Sequence, residues 1–256
     1  MQQLFSIEGK TALVTGGGSG IGWMIAEAYV RAGARVVIAS RKKTELDARI
    51  AELGGVGECR AIVADLSTEA GCNALGDEIE SHEGKLDILV NNAGANWGAP
   101  YAEFPESAWS RVLDLNVKAV FALTRRLTPQ LERAASEADP ARVINIGSID
   151  GIQVPDLETY SYSASKAAVH HLSAVLARKL APRHITVNAV APGPFQSRMM
   201  RATLERVGDA ITSMVPLGRI GMPEDMAGIA IFLASRAGAY LTGTVIPVDG
   251  GISGTR

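Results

Sequence analysis

Tyr162 and Lys166 stand four residues apart in the run Tyr162-Ser163-Ala164-Ser165-Lys166. Residues at that spacing share one helix face, so a helix here projects a phenol and an ammonium in the same direction. A tyrosine near pKa 10 is a poor acid-base catalyst at neutral pH. Lowering it by about 2 to 3 units takes roughly 3 to 4 kcal/mol of preference for phenolate, which a close ammonium can supply in a shielded site. Tyr160 lacks such a companion, because the residue four positions on is Ala164.

A second chemical feature is the run Thr15-Gly16-Gly17-Gly18-Ser19-Gly20-Ile21-Gly22. Glycines permit positive φ and let backbone N–H groups and a helix N-terminus approach a pyrophosphate without a Cβ in the way. In that binding mode a carboxylate about 20 residues further on takes the ribose hydroxyls. Here the corresponding segment reads Ala39-Ser40-Arg41-Lys42-Lys43, with no acid. A guanidinium can engage a 2′-phosphate through bidentate charge-assisted bonds, and Ser40 adds a hydroxyl, so NADP(H) is expected over NAD(H).

These residues need a frame. Apolar, β-branched runs recur at residues 11–15, 35–40, 59–65, 86–92, 142–148, 185–192 and 244–250, and they are apolar on both faces. That pattern predicts strands of a parallel sheet covered by helices on both sides. Helix-period stretches lie between them at Gly20–Ala32, Lys43–Leu53, Glu69–Glu83, Ser107–Ala135, Thr159–Ala181 and Glu224–Ala234. The alternation predicts an α/β fold: a single Rossmann-type, doubly wound domain over residues 1–256, with a seven-stranded parallel sheet. Residues 194–216 break the rhythm and read as a lid.

Composition narrows the function classes. With 25 Lys plus Arg against 27 Asp plus Glu the chain has a formal charge of -2, so no global field favours nucleic acid or anionic lipid. The longest stretch free of charged residues, Thr11 to Ala26, is broken by five glycines and is too short to span a membrane. The opening MQQLFSIEGK has no basic segment followed by an apolar one, and the expectation is a cytoplasmic protein. Cys59 and Cys72 have no CxxC neighbour, and the histidines, including His170 and His171, lack HExxH spacing. No disulfide framework or metal site is expected, and the histidines read as surface or packing residues.

The chain resembles the short-chain dehydrogenase/reductase family over essentially its whole length. The matching features, in order, are the TGGGSGIG run, Asp65, Asn91-Asn92-Ala93-Gly94, Asn116, Ser148, Tyr162 with Lys166, and Pro192-Gly193. The segments LDILVNNAG, ARVINIGS, SRM and GAYLTG are similar to NADPH-dependent β-ketoacyl reductases of the rhamnolipid-synthesis type. The resemblance implies a reductase in which Tyr162 protonates the carbonyl oxygen and Ser148 hydrogen-bonds it. Lys166 lowers the tyrosine pKa and binds the nicotinamide ribose, and Asn116 supports a proton-relay water. It implies cofactor contacts from Gly16, Gly18, Ser19, Gly20, Ile21 and Gly22 in the loop, and from Ser40 and Arg41. Further contacts are implied for Asp65 and Leu66 near the adenine, for Asn92, Ala93 and Gly94, and for Pro192, Gly193, Phe195 and Ser197. By analogy with tetrameric members, a homotetramer or a dimer is expected.

Two departures from the family pattern matter. Ser19 stands where NADPH-dependent members often carry a basic residue, which leaves the cofactor preference on Arg41. The interval from Ser148 to Tyr162 is 14 residues, one longer than in many members, so the intervening loop through Asp150 and Asp156 is expected to be reshaped. Phe195, Met199, Met200, Leu204, Met214 and, after the NNAG turn, Trp97 offer an adaptable apolar surface. An acyl-chain site and ordinary lid packing both fit them. Arg198, Arg201 and Arg206 could attract an acyl carrier protein or coenzyme A, or simply face water. The expected substrate is a small-molecule carbonyl or alcohol. A 3-oxoacyl thioester is favoured over the rival sugar or polyol, and a non-catalytic cofactor-binding regulator is the remaining alternative.

Overall fold

The computed structural model describes residues 2–196 and 208–255. Ser197, Met199, Met200, Leu204 and the arginines at 198, 201 and 206 lie outside the described residues. Seven strands, β1 (Thr11–Thr15), β2 (Arg35–Ser40), β3 (Cys59–Val63), β4 (Ile88–Asn91), β5 (Ala141–Ile146), β6 (Ile185–Pro192) and β7 (Val245–Val248), form one parallel sheet. Their spatial order is β3-β2-β1-β4-β5-β6-β7. Successive strands run outward in one direction from β1 and then outward from β4 in the other, which opens a crevice at the carboxyl ends of β1 and β4.

The reason the strands are apolar throughout is visible in the core. Ala12, Val14, Val36, Ile38, Ile88 and Val90 pack on one face with α1 (Gly20–Arg31), α2 (Lys43–Leu53) and α8 (Pro223–Ala234). Their immediate neighbours Leu13, Val37, Ala39 and Leu89 pack on the other face with α3 (Glu69–Glu83), α5 (Ala119–Ala134) and α6 (Tyr160–Leu180). Alternate residues point to opposite faces, so both registers of each strand must be apolar.

One expectation needs correction. The helix expected over Ser107–Ala135 is three pieces: α4 (Glu106–Leu113), a π-helical turn (Asp114–Lys118) and α5. An apolar period continues through all three, so periodicity alone could not detect the widened turn, which carries the buried Asn116. Among the described residues of the 194–216 segment, residues 208–214 form a helix, α7.

Buried polar side chains tie the layers together. Asn91 on β4 donates to Thr124 Oγ1 on α5 (3.1 Å) and to Asn145 Oδ1 on β5 (2.8 Å); Asn145 in turn donates to Ser173 on α6 (2.8 Å). At the opposite end of the sheet the fully buried Arg142 donates to the Leu233 and Ser235 carbonyls at the end of α8 and pairs with Asp139. Burial pulls its guanidinium below its ordinary pKa, the charge of Asp139 opposing this.

Candidate active site

The crevice is a cleft of about 880 Å³ whose walls come from the carboxyl ends of the strands. On one side runs the glycine loop between β1 and α1. Gly16 has φ +66° and Gly20 φ +55°, conformations that favour glycine. A Cβ at Gly22 would lie 2.4 Å from both the Gly16 carbonyl and Asn92 Nδ2, so this glycine lets α1 press against the loop and the end of β4. Gly22 therefore sits behind the loop, whereas Gly16, Gly18, Ser19, Gly20 and Ile21 line the cleft. Ser19 caps α1 without a side-chain hydrogen bond, and the first turn holds no acid, so the N-terminal N–H groups face the cleft uncontested.

Thr15 joins the two central strand ends. Its Oγ1 donates to the Val90 carbonyl (3.2 Å) and accepts from the N–H groups of Asn92 (2.9 Å) and Ala93 (3.0 Å), while Asn92 Nδ2 donates to the Thr15 carbonyl (2.9 Å). Asn92, Ala93 and Gly94 consequently form the floor. At one end the exposed Arg41 follows Ser40, and Asp65 and Leu66 stand opposite. The Ser67 N–H and hydroxyl hold the Asp65 carboxyl below its ordinary range, helped by the charge of Arg41. Pro192, Gly193 and the buried Phe195 close the other end. These features fit a dinucleotide: a loop with no Cβ in the way, a helix N-terminus, and an exposed guanidinium where the end of β2 carries no ribose-binding carboxylate.

The candidate catalytic side chains line the same cleft. Ser148, at the end of the β5 segment, stands near enough to the half-buried Tyr162 for its hydroxyl to favour the phenolate, and both line the wall with Lys166. Lys166 is buried and donates from Nζ to the Ile146 carbonyl at 2.7 Å, its nitrogen 5.4 Å from the centre of the Tyr162 ring. The electrostatics depart from the sequence expectation. Burial pushes the phenol up to about 12, the Ser148 bond opposing this and the Asp150 carboxylate adding to it. Burial also draws Lys166 down to about 8, against the pull of Asp150. Spacing placed the ammonium near the ring; the fold aims it at a backbone carbonyl, and burial is the largest influence on the phenol.

Asn116 does not line the cleft. Its Oδ1 accepts the Ala95 N–H (2.8 Å), and its Nδ2 donates to the Ala95 carbonyl (2.9 Å) and to Ser165 Oγ (2.9 Å). It thereby links the loop after β4 to the helix carrying Tyr162 and Lys166. Trp97 lines the cleft with the Arg111 guanidinium 5.2 Å from its ring centre, and Ile211 and Met214 of α7 face it too.

Sequence reasoning missed three residues here. Asp150 lies on the cleft wall, electrostatically felt by both Tyr162 and Lys166. Asn96 also lines it, with a buried Oδ1 that has no hydrogen-bond partner. His170, read as a surface or packing residue, is buried beside Ser148, and what the sequence did not show is that partner, whereas His171 is exposed. No spacing rule marks a histidine whose partners come from a distant turn.

A doubly wound sheet with a phenol, a hydroxyl and an ammonium gathered in a dinucleotide-shaped cleft defines a nucleotide-dependent oxidoreductase of the carbonyl–alcohol type. The comparisons agree. A family model described as enoyl-(acyl carrier protein) reductase matches residues 16–253. The chain is 49% identical over 253 residues to a rhamnolipids biosynthesis 3-oxoacyl-[acyl-carrier-protein] reductase of Pseudomonas aeruginosa, covering 98% of this chain and 99% of that protein. It is 37% identical over 258 residues to a 2-dehydro-3-deoxy-D-gluconate 5-dehydrogenase of Dickeya dadantii, covering 96% of each. A solved Pseudomonas aeruginosa RhlG/NADP active-site complex superposes with a TM-score of 0.95 at 48% identity, covering 99% of this chain and all of that one. The chain belongs to the short-chain dehydrogenase/reductase family.

Proposed function

We propose that this protein is an NADP(H)-dependent reductase that converts the ketone of a 3-oxoacyl thioester, carried on an acyl carrier protein or coenzyme A, to a secondary alcohol. The observation that carries the reading is that the hydroxyl side chains of Ser148 and Tyr162 line one cleft together with Lys166. The N-terminus of α1 with Gly16, Gly18 and Ser19 would hold the pyrophosphate. Ser40 and Arg41 would hold a 2′-phosphate, Asp65 and Leu66 the adenine, and Lys166 the nicotinamide ribose. When bound, the cofactor supplies the hydride. Ser148 would then hold the substrate oxygen as negative charge develops on it, and Tyr162 would give that oxygen its proton. A phenol that stays protonated to about 12 suits a proton donor, because an alkoxide is the stronger base.

The apolar wall of Trp97, Leu157, Ile211 and Met214 supports an acyl chain, and the 49%-identical relative acts on such a carrier-bound substrate. Residues 194–216 would serve as the lid, with Ser197 and Met199 expected to meet cofactor and substrate. The acceptors Asp150 and Asn96 favour, as a second reading, a hydroxyl-bearing sugar or polyol. A cytoplasmic setting belongs to the first reading, and the unpaired Cys59 and Cys72 fit a reducing compartment. So does a homotetramer or a dimer, for which the exposed Phe121 on α5 and Val175 on α6 supply apolar surface. No described helix is long and apolar enough to cross a membrane, and no described cluster of three His, Cys, Asp or Glu could hold a metal.

The test is NADPH oxidation across acetoacetyl thioesters, keto sugars, diketones and steroids, with NADH in parallel. Preference for the thioesters with NADPH is the expected result. Preference for keto sugars would turn the assignment to the second reading, and no turnover with any carbonyl would remove it.

A further inference from the structure

His170 lies on α6 one turn beyond Lys166 and is buried beneath the turn that carries Ser148. Its ring fills a slot opened by two glycines. A Cβ built on Gly147 would lie 2.1 Å from its Nε2, and one built on Gly151 would lie 2.9 Å from its Cε1. Nε2 accepts the Ser148 N–H at 3.4 Å, and the Gly151 backbone beside the ring favours its protonated form. The same turn is closed by the Gly151 N–H donating to the Ser148 carbonyl at 3.0 Å. The Ser148 hydroxyl accepts the Asp150 N–H at 3.2 Å and lines the cleft with the Tyr162 phenol. One imidazole therefore touches both ends of the short segment from which the Ser148 hydroxyl projects.

We propose that His170 is a positioning residue for the reaction: as a neutral imidazole accepting at Nε2, it fixes the direction of the Ser148 hydroxyl toward Tyr162 and the substrate oxygen. The proposal rests on Ser148 being the carbonyl-binding donor. A neutral ring can accept at one nitrogen and donate at the other, but an imidazolium has only donors, and a proton on Nε2 would set two N–H groups against each other. Among the described residues, the charge acting on the ring is that of Lys166 on α6, and Asp150 stands in the same turn; Gly147, Ser148 and Gly151 bring none. Burial and then the Lys166 charge hold the ring below its ordinary pKa, the Gly151 bond opposing them. Neutrality is thus built in, and it fails only when the medium is acidic.

The experiment compares His170→Leu, His170→Gln, Ser148→Ala and the Ser148→Ala/His170→Leu double variant between pH 5 and 9, reading thioester turnover with NADPH and the NADPH dissociation constant. His170→Leu should lower kcat about 10- to 100-fold, the scale expected of a sub-ångström misplacement, with NADPH affinity unchanged. In the Ser148→Ala background the same change should cost less than about twofold, because the group it positions is gone. His170→Gln, whose amide oxygen can still accept the Ser148 N–H, should keep more activity than His170→Leu and lose the acid limb of the wild-type profile. An equal loss in both backgrounds, full activity of His170→Leu, or an unchanged acid limb in His170→Gln would overturn the proposal. If His170→Leu does not fold, NMR of the wild-type ring decides: an unprotonated Nε2 at pH 7 supports the role, and a protonated one ends it. A fully active Ser148→Ala would instead remove the reading beneath the proposal, and the proposal with it.

Discussion

The half-buried Tyr162 and the buried Lys166 are held away from their charged states by the same cause, loss of water. Burial pushes the Tyr162 phenol up to about 12 and draws Lys166 down to about 8. Tyr162→Phe removes the proton donor while leaving the ring and its packing, so kcat should fall about 10² to 10⁴-fold with NADPH affinity nearly kept. Steady-state kinetics with a fluorescence titration of NADPH check this, and near wild-type turnover would refute the role. Lys166 permits a signed stability prediction. Its pKa is lower folded than unfolded, so below about 8 the native state carries the full burden of a buried ammonium, and that burden lightens as pH rises from about 8 toward 10.5. Lys166→Met should therefore be inactive yet melt at a higher temperature than wild type at pH 7, and the difference should shrink by pH 10. A lower melting temperature at pH 7 would show that the bond to Ile146 outweighs desolvation.

At the level of elements, the site depends on where β1, β4 and β5 end and on how closely the following segments approach. Thr15, Asn92 and the glycine loop form one knot in which Gly22 has no room for a methyl group. Gly22→Ala must push α1 away from the loop, at a cost of about 1–3 kcal/mol. NADPH binding should weaken with it, because the helix N-terminus and the loop amides no longer converge. Calorimetry and thermal melts test both effects, and an unchanged dissociation constant would mean that the loop is held by something other than this contact. The π-helical turn is a comparable device. By widening the helix at Asp114–Lys118 it brings Asn116 between Ala95 and Ser165, so that one side chain spans the floor and the catalytic helix.

Across the whole molecule, both faces of the sheet are buried and the cleft is the opening left by the reversal of strand order. A ligand that binds only the native state stabilises it by about 2.7 kcal/mol at a hundredfold excess over Kd, which for a chain of this size raises Tm by roughly 5–10 °C. NADPH should produce that shift at concentrations where NADH produces far less. Arg41→Ala should bring the two shifts close together, since it removes the guanidinium that would take the 2′-phosphate. Equal shifts in the wild type would sink the NADP(H) preference.

The sheet and its helices were legible because the signals are local. β-branched runs apolar in both registers demand two covering layers, and β1, β2, β6, α2 and α3 begin and end where the residues say. The glycine loop, Arg41, Ser148, Tyr162 and Lys166 were likewise readable as types at spacings. What only the tertiary structure decided are the relations between distant segments. These include the aim of the Lys166 ammonium at Ile146, the direction of the Tyr162 pKa, and the place of Asn116 behind the floor. They also include the meeting of His170 with Ser148 across 22 residues. Spacing along a chain sets which face a side chain occupies, whereas desolvation and hydrogen-bond partners depend on what folding packs against that face.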